Sequence, residues 1–186
     1  IANLGLMRCH YILENYANAA DYAQKVLANK QIENTVKLEA EFAKGIALAK
    51  TDRFTEALPS LEYVVKNTTK EMAAESKYTI AEGYYKSNDL TKTEAEIRAL
   101  LKMKPGYDYW IAKALILQTR VLVIKKDLFQ AEQTINSVID NYPDPDDGIL
   151  TEAAELYDEI MQLKNQPKNL QEKSNTIIDV EETTGN

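Results

Sequence analysis

The sequence predicts an all-α fold, about four helical hairpins followed by a C-terminal capping helix, and three observations carry that prediction. A large apolar residue followed three places on by a small one recurs in Tyr16-Ala17-Asn18-Ala19, Phe54-Thr55-Glu56-Ala57, Leu90-Thr91-Lys92-Thr93 (Thr as the small residue) and Leu128-Phe129-Gln130-Ala131. The small residues stand at 19, 57, 93 and 131, in steps of 38, 36 and 38, and a period of that size belongs to stacked helix pairs. Gly and Pro are scarce, 6 and 5 in 186 residues, while Ala, Leu, Glu and Lys outweigh Val and Ile, which favours long helices. No stretch shows the period-two alternation of a strand.

Residues 2–14 read as the first helix, with Leu6, His10 and Leu13 on one face, and a turn at Asn15 leads to a second over about 17–29. Val36, Ala40, Ala43 and Ala47 mark a third over 35–50, closed by Thr51-Asp52-Arg53. The fourth lies near 54–67; Pro59, one turn in, predicts a late start or a slight bend there, because proline lacks the N–H and its ring crowds the preceding turn. A fifth helix, 70–87, ends at Ser87-Asn88-Asp89, a polar turn suited to capping the sixth, 90–103. Lys104-Pro105-Gly106 breaks the chain before the apolar seventh, 109–126, which holds Trp110, Ile111, Leu115, Leu122 and Ile124. Lys126-Asp127 turns into the eighth, 128–141, which Asn141-Tyr142-Pro143-Asp144-Pro145 stops. A ninth runs over about 148–164 with Asp146 or Asp147 as its N-cap.

These elements group as repeats of about 1–34, 35–69, 70–107 and 108–145, then a capping helix over 147–164. Short connections imply antiparallel neighbours. Residues 165–186 form a C-terminal tail, extended or flexible, in which Ile177, Ile178 and Val180 are apolar enough to lie along a helical groove. The chain opens on Ile-Ala-Asn-Leu, already in helical pattern and without a signal peptide, as a piece of a longer protein would.

Net charge of −7 disfavours nucleic acid or an anionic membrane as partner. No apolar run reaches the roughly 18 residues a membrane span needs, so direct insertion by this segment is not expected. One Cys and one His cannot supply an intrachain disulfide or a Cys/His zinc site. Cys9 reads as a small buried residue and His10 as a packed one; adjacent on a helix, they point apart. Asp144-Pro145-Asp146-Asp147-Gly148 with Glu155 suggests a calcium loop, but Gly falls fifth rather than sixth and Pro second, so helix capping accounts for these acids. No glycine-rich phosphate loop is present, and acid pairs such as Glu152 and Glu155 read as solvated helix surface. No catalytic residue, metal or cofactor is expected.

With the repeats aligned, the chain resembles the tetratricopeptide repeat family over about residues 1–164. The third repeat carries Tyr84-Tyr85-Lys86-Ser87-Asn88-Asp89-Leu90, then Ile97, Leu100 and Pro105; the second carries Gly45, Ala57, Leu61 and Val64; the fourth Ala131, Ile135, Val138 and Pro143; the first Ala19, Ala23 and Val26. Thr93 departs from the usual Ala, and Thr119 and Met7 from the usual Gly. The physical basis is close helix approach at Gly45, Ala81, Ala57 and Ala131, with Leu61, Ile97 and Ile135 filling space toward the next repeat. The departures, with the segments 109–114 and 129–131, are similar to the looser repeats of large bacterial cell-envelope proteins, among them outer-membrane assembly lipoproteins and cell-division coordinators.

The resemblance implies a right-handed α-α superhelix and a periplasmic or cell-envelope location. It also implies a concave groove lined by the first helix of each repeat. Its inward positions become Leu4, Arg8 and Tyr11; Phe42, Ile46 and Lys50; Tyr78, Glu82, Tyr85 and Lys86; Lys113, Ile116, Arg120 and Val123. Arg8, Tyr11, Phe42, Lys50, Tyr78, Tyr85, Lys86, Lys113 and Arg120 are the candidate partner-binding residues, since aromatic and Arg side chains dominate binding hot spots. The carboxylate clamp of chaperone-tail receptors is absent: its Lys positions read Leu4, Phe42, Tyr78 and Ile116, its Asn positions Arg8, Ile46, Glu82 and Arg120. The expected function is a non-catalytic scaffold or adaptor that binds a protein or peptide in the groove. The alternatives are a repeat domain serving an enzyme, or a spacer that forms a homodimer.

Overall fold

The computed structural model describes residues 2–165, and the docking expected of Ile177, Ile178 and Val180 lies outside them. Among the described residues there are nine α-helices and no strand: α1 Ala2–Ile12, α2 Tyr16–Leu27, α3 Asn34–Lys50, α4 Phe54–Asn67, α5 Glu71–Lys86, α6 Leu90–Leu101, α7 Asp108–Ile124, α8 Leu128–Asn141 and α9 Ile149–Asn165. Each helix packs on its neighbours in the chain, and α1, α3, α5, α7 and α9 also touch one another in succession.

Four turns share one geometry. Glu14, Asp52, Asn88 and Lys126 adopt positive φ, from 54° to 60°, and they fall at the 38-, 36- and 38-residue steps of the repeat. In each, the next amide closes onto a carbonyl five residues back: Asn15 to His10, Arg53 to Leu48, Asp89 to Tyr84 and Asp127 to Leu122, at 2.8–3.0 Å. A left-handed residue followed by this longer bond is the Schellman ending of a helix, which pairs carbonyls the last turn leaves open. Asp89 and Asp127 then cap the following helices, accepting from the amides of Lys92 at 3.0 Å and Gln130 at 3.2 Å.

The repeat register coincides with the core. Met7, Ala81 and Thr119 are at most 1 % exposed, Gly45 is buried, and Ala19, Ala57, Thr93 and Ala131 are fully buried. The two threonines are accommodated because each hydroxyl donates to the carbonyl four residues back, Thr93 to Asp89 and Thr119 to Leu115, both at 2.9 Å.

Several expectations are corrected. Cys9 is exposed rather than buried. Leu6 and Leu13 do not share the packed face of α1; they are 40 % and 75 % exposed, and that face is Leu4, Met7 and Tyr11. Three and four residues apart, those side chains fall on one stripe, whereas Leu6 and Leu13 lie opposite it. Of the late start or slight bend expected at Pro59, the late start does not occur, since α4 begins at Phe54; Pro59 and Thr55 are exposed, so water can satisfy the carbonyl that loses its donor. Asp147 is not itself the first capping residue of α9. Its Oδ1 accepts from the Ile149 amide at 3.0 Å, and Gly148, at φ 87°, supplies the first helical carbonyl, to Glu152.

Candidate binding face

The odd-numbered helices place the candidate residues in two groups. In the first, Tyr11 of α1 lies 6.1 Å from the Tyr16 ring, edge-on, and 6.1 Å from the Phe42 ring of α3. Arg8 grips Glu39 of α3 with both arms of its guanidinium, Nε to Oε1 at 2.5 Å and Nη2 to Oε2 at 2.6 Å. That bidentate pairing raises the arginine pKa further. Glu75 of α5 completes the group. Burial, then the neighbouring Glu71, pushes its carboxyl up to about 6, with Lys50 opposing. The Tyr11 hydroxyl is pushed up in turn, by burial first and Glu75 second.

The second group centres on Tyr78. Its ring lies 5.6 Å from Trp110 of α7, and Lys113 Nζ stands 5.7 Å from its centroid. Its hydroxyl makes a long 3.5 Å contact with Glu82, which also receives Lys86 Nζ at 3.1 Å. Lys113 and Arg120 both reach Glu152 of α9, at 2.7 and 3.1 Å. Burial raises the Tyr78 hydroxyl pKa strongly, and the carboxylates of Glu82 and Glu152 add to it. Tyr85 packs on the core formed by Ala81, Ile97 and Leu100.

Four of the five candidate cations therefore hold an acid of this chain: Arg8, Lys86, Lys113 and Arg120. Two positions assigned to the groove belong to the core instead: Ile46 and Ile116 are 2 % and 1 % exposed. Glu152 is not simply solvated surface but the shared acceptor of two cations; Glu75 and Trp110 also join the site without having been singled out for it. One signal in the sequence bears on Glu152. Opposite charges 31 or 32 residues apart pair repeatedly, as Arg8–Glu39, Glu94–Lys125, Arg120–Glu152 and Glu132–Lys164.

The residues considered for other chemistry are placed elsewhere. The His10 ring stacks on Tyr22 at 5.3 Å and 7°, while Cys9 faces solvent. Asp144 accepts from the Asp146 amide at 2.9 Å, and Asp147 takes both the Ile149 amide and the Tyr142 hydroxyl. Among the described residues no group of His, Cys, Asp and Glu could hold a metal ion, and no helix is long and apolar enough to cross a membrane. No protein-family model matches the chain, and no curated protein matches it.

Proposed function

We propose that the chain is a tetratricopeptide-like stack, coiled as a right-handed superhelix, that serves as a non-catalytic scaffold and holds an extended peptide or a helix of a partner protein along its odd-numbered helices. One observation supports this above the others. Successive odd helices touch, whereas no Cα of α2, α4, α6 or α8 comes within 8 Å of a Cα of another even helix. Helices that touch on one side and splay on the other form a curved layer, with the touching set on the inner wall. Tyr11, Phe42, Tyr78 and Trp110 stand on that set, half-buried and fixed by their contacts, so a partner would meet a surface that loses little entropy on binding. The ion pairs between α1 and α3 and between α7 and α9 hold the wall together, and their remaining lone pairs and protons offer polar contacts to a bound chain.

Charge reversal tests the reading. Arg8→Glu/Lys50→Glu/Lys86→Glu changes three exposed positions along the inner wall; Lys25→Glu/Lys66→Glu/Lys102→Glu changes three exposed positions associated with the even helices. With circular dichroism unchanged, the first variant should lose the proteins that the parent captures from a cell extract, and the second should keep them. Equal recovery by both would remove the inner-wall assignment.

A further inference from the structure

Each odd helix after α1 turns one row of residues, at i, i+3 and i+7, toward the hairpin before it. In α3 the row is Ala40, Ala43 and Ala47, at most 4 % exposed, and the first two pack on Met7, Ala23 and Val26. In α7, Ala114 and Leu117 of the row Ala114, Leu117 and Val121 pack on Ile97 and Leu100. In α9, Ala153, Leu156 and Ile160 pack on Ile135 and Val138. In α5 the row ends at Gly83, whose missing side chain makes room for Phe54 of α4.

One period of 38 residues before the α3 row stand Ala2, Gly5 and Cys9 of α1, and all three are exposed. A Cβ built on Gly5 meets nothing within 4 Å, in contrast to Gly45 and Gly83. Leu6, Ile12 and Leu13, 40 %, 78 % and 75 % exposed, lie on the same side, and at about 100° per residue all six positions fall within roughly a third of the helix circumference. The other end of the described helices is unlike this. The exposed side of α9 carries Glu155, Asp158 and Glu159, so head-to-tail docking of a second copy would bury unpaired carboxylates.

We infer that the outer side of α1 is a repeat-to-repeat seat. It takes one further helical hairpin of the same kind, joined in series to α1, whose second helix presents two aliphatic residues three apart, as Ile97 and Leu100 do for α7. The small residues Ala2, Gly5 and Cys9 admit that helix closely, and Leu6, Ile12 and Leu13 flank it.

The test lengthens the full chain by one repeat. Residues 1–38 are duplicated ahead of residue 1, with Cys9→Ser in the added copy, so that the one remaining thiol is that of the seat. The spacing is then the natural period, and Met7, Ala23 and Val26 of the copy face the row. Thiol labelling of Cys9 should slow about ten-fold or more relative to the parent chain as the seat becomes protected, and Val26→Asp in the added copy should restore the parent rate. Labelling at the parent rate in the extended chain, whether or not the added residues become helical, overturns the proposal. So does a concentration-dependent dimer of the parent chain that Leu13→Glu dissolves, which would give the seat to a second copy.

Discussion

The ring of Phe54 occupies the place a side chain at Gly83 would need: a Cβ built there falls 2.2 Å from Cδ2 and Cε2 of the ring. Tyr84 packs edge-on against the same ring at 5.2 Å, so a shift of Phe54 would disturb that contact as well. At Gly45 the corresponding approach is 2.7 Å to Leu61 Cδ2, the far end of a flexible side chain, with the Leu61 amide nitrogen at 3.2 Å. Alanine in a helix interior gains up to about 1 kcal/mol over glycine, whereas overpacking costs about 1–3 kcal/mol or more. Gly83→Ala should therefore lose about 2 kcal/mol, and Gly45→Ala distinctly less. Urea melts of both variants check the order, and Phe54→Leu should recover part of the loss in Gly83→Ala. Equal midpoints for Gly83→Ala and the parent would show that the ring can move aside.

The pH dependence around Glu75 has a definite sign. Its folded pKa of about 6 lies above the ordinary 4.5, so the folded state binds this proton more readily than the unfolded state. Its unfavourable contribution is fully present above pH 6 and fades as pH falls toward 4.5. Glu75→Gln should raise stability at pH 8, by about 1 kcal/mol once solvent screening is allowed for, and the gain should disappear below pH 4.5. A gain of the same size at pH 4 and pH 8 would assign the effect to packing instead of charge.

The left-handed turns allow a stabilising change. A non-glycine residue in this conformation costs about 1–2 kcal/mol, and part of that returns as extra chain entropy when glycine replaces it. Glu14 is exposed and its φ is 54°, so Glu14→Gly should gain about 0.5–1 kcal/mol. The same substitution at Ala154, exposed in the interior of α9, should lose about 1 kcal/mol. Thermal melts of the two variants should move in opposite directions; a fall at both positions would mean that the turn carries no strain.

What could be read from the sequence follows the range of each interaction. Ala19, Ala57, Thr93 and Ala131 declare their burial because size and spacing are local properties, and Asp89 declares its cap because the amide that donates to it, that of Lys92, is three residues away. Cys9 departs from the buried position its register predicts for a physical reason: that position is buried in α3, α5 and α7, but in α1 no hairpin of the described structure lies over it. Leu6 and Leu13 stay exposed on that same uncovered side of α1, where apolar character alone does not give burial. Glu152 has no local signal, since its partners Lys113 and Arg120 lie 39 and 32 residues away on another helix; only the recurrence of opposite charges 31 or 32 residues apart points to its pairing with Arg120.

That last cluster gives a prediction about local stability. Glu152 and Lys113 are the less exposed members, with 29 % and 19 % of their side chains accessible, against 41 % for Arg120. Removing the carboxylate leaves Lys113 half-enclosed beside the Tyr78 ring without its counter-ion, which costs more than loss of a surface pair. Because, among the described residues, α9 touches only α7 and α8 of the other helices, the damage should stay at that end. Glu152→Gln should loosen α9 by about 1–2 kcal/mol, seen as faster amide hydrogen exchange from Leu156 to Leu163 with exchange in α3 unchanged. Lys113→Met in the same background removes the stranded charge and should return part of the protection. Uniform acceleration across all the helices would instead show that the pair supports the whole stack, and unchanged exchange in α9 would show that Glu152 does not hold it.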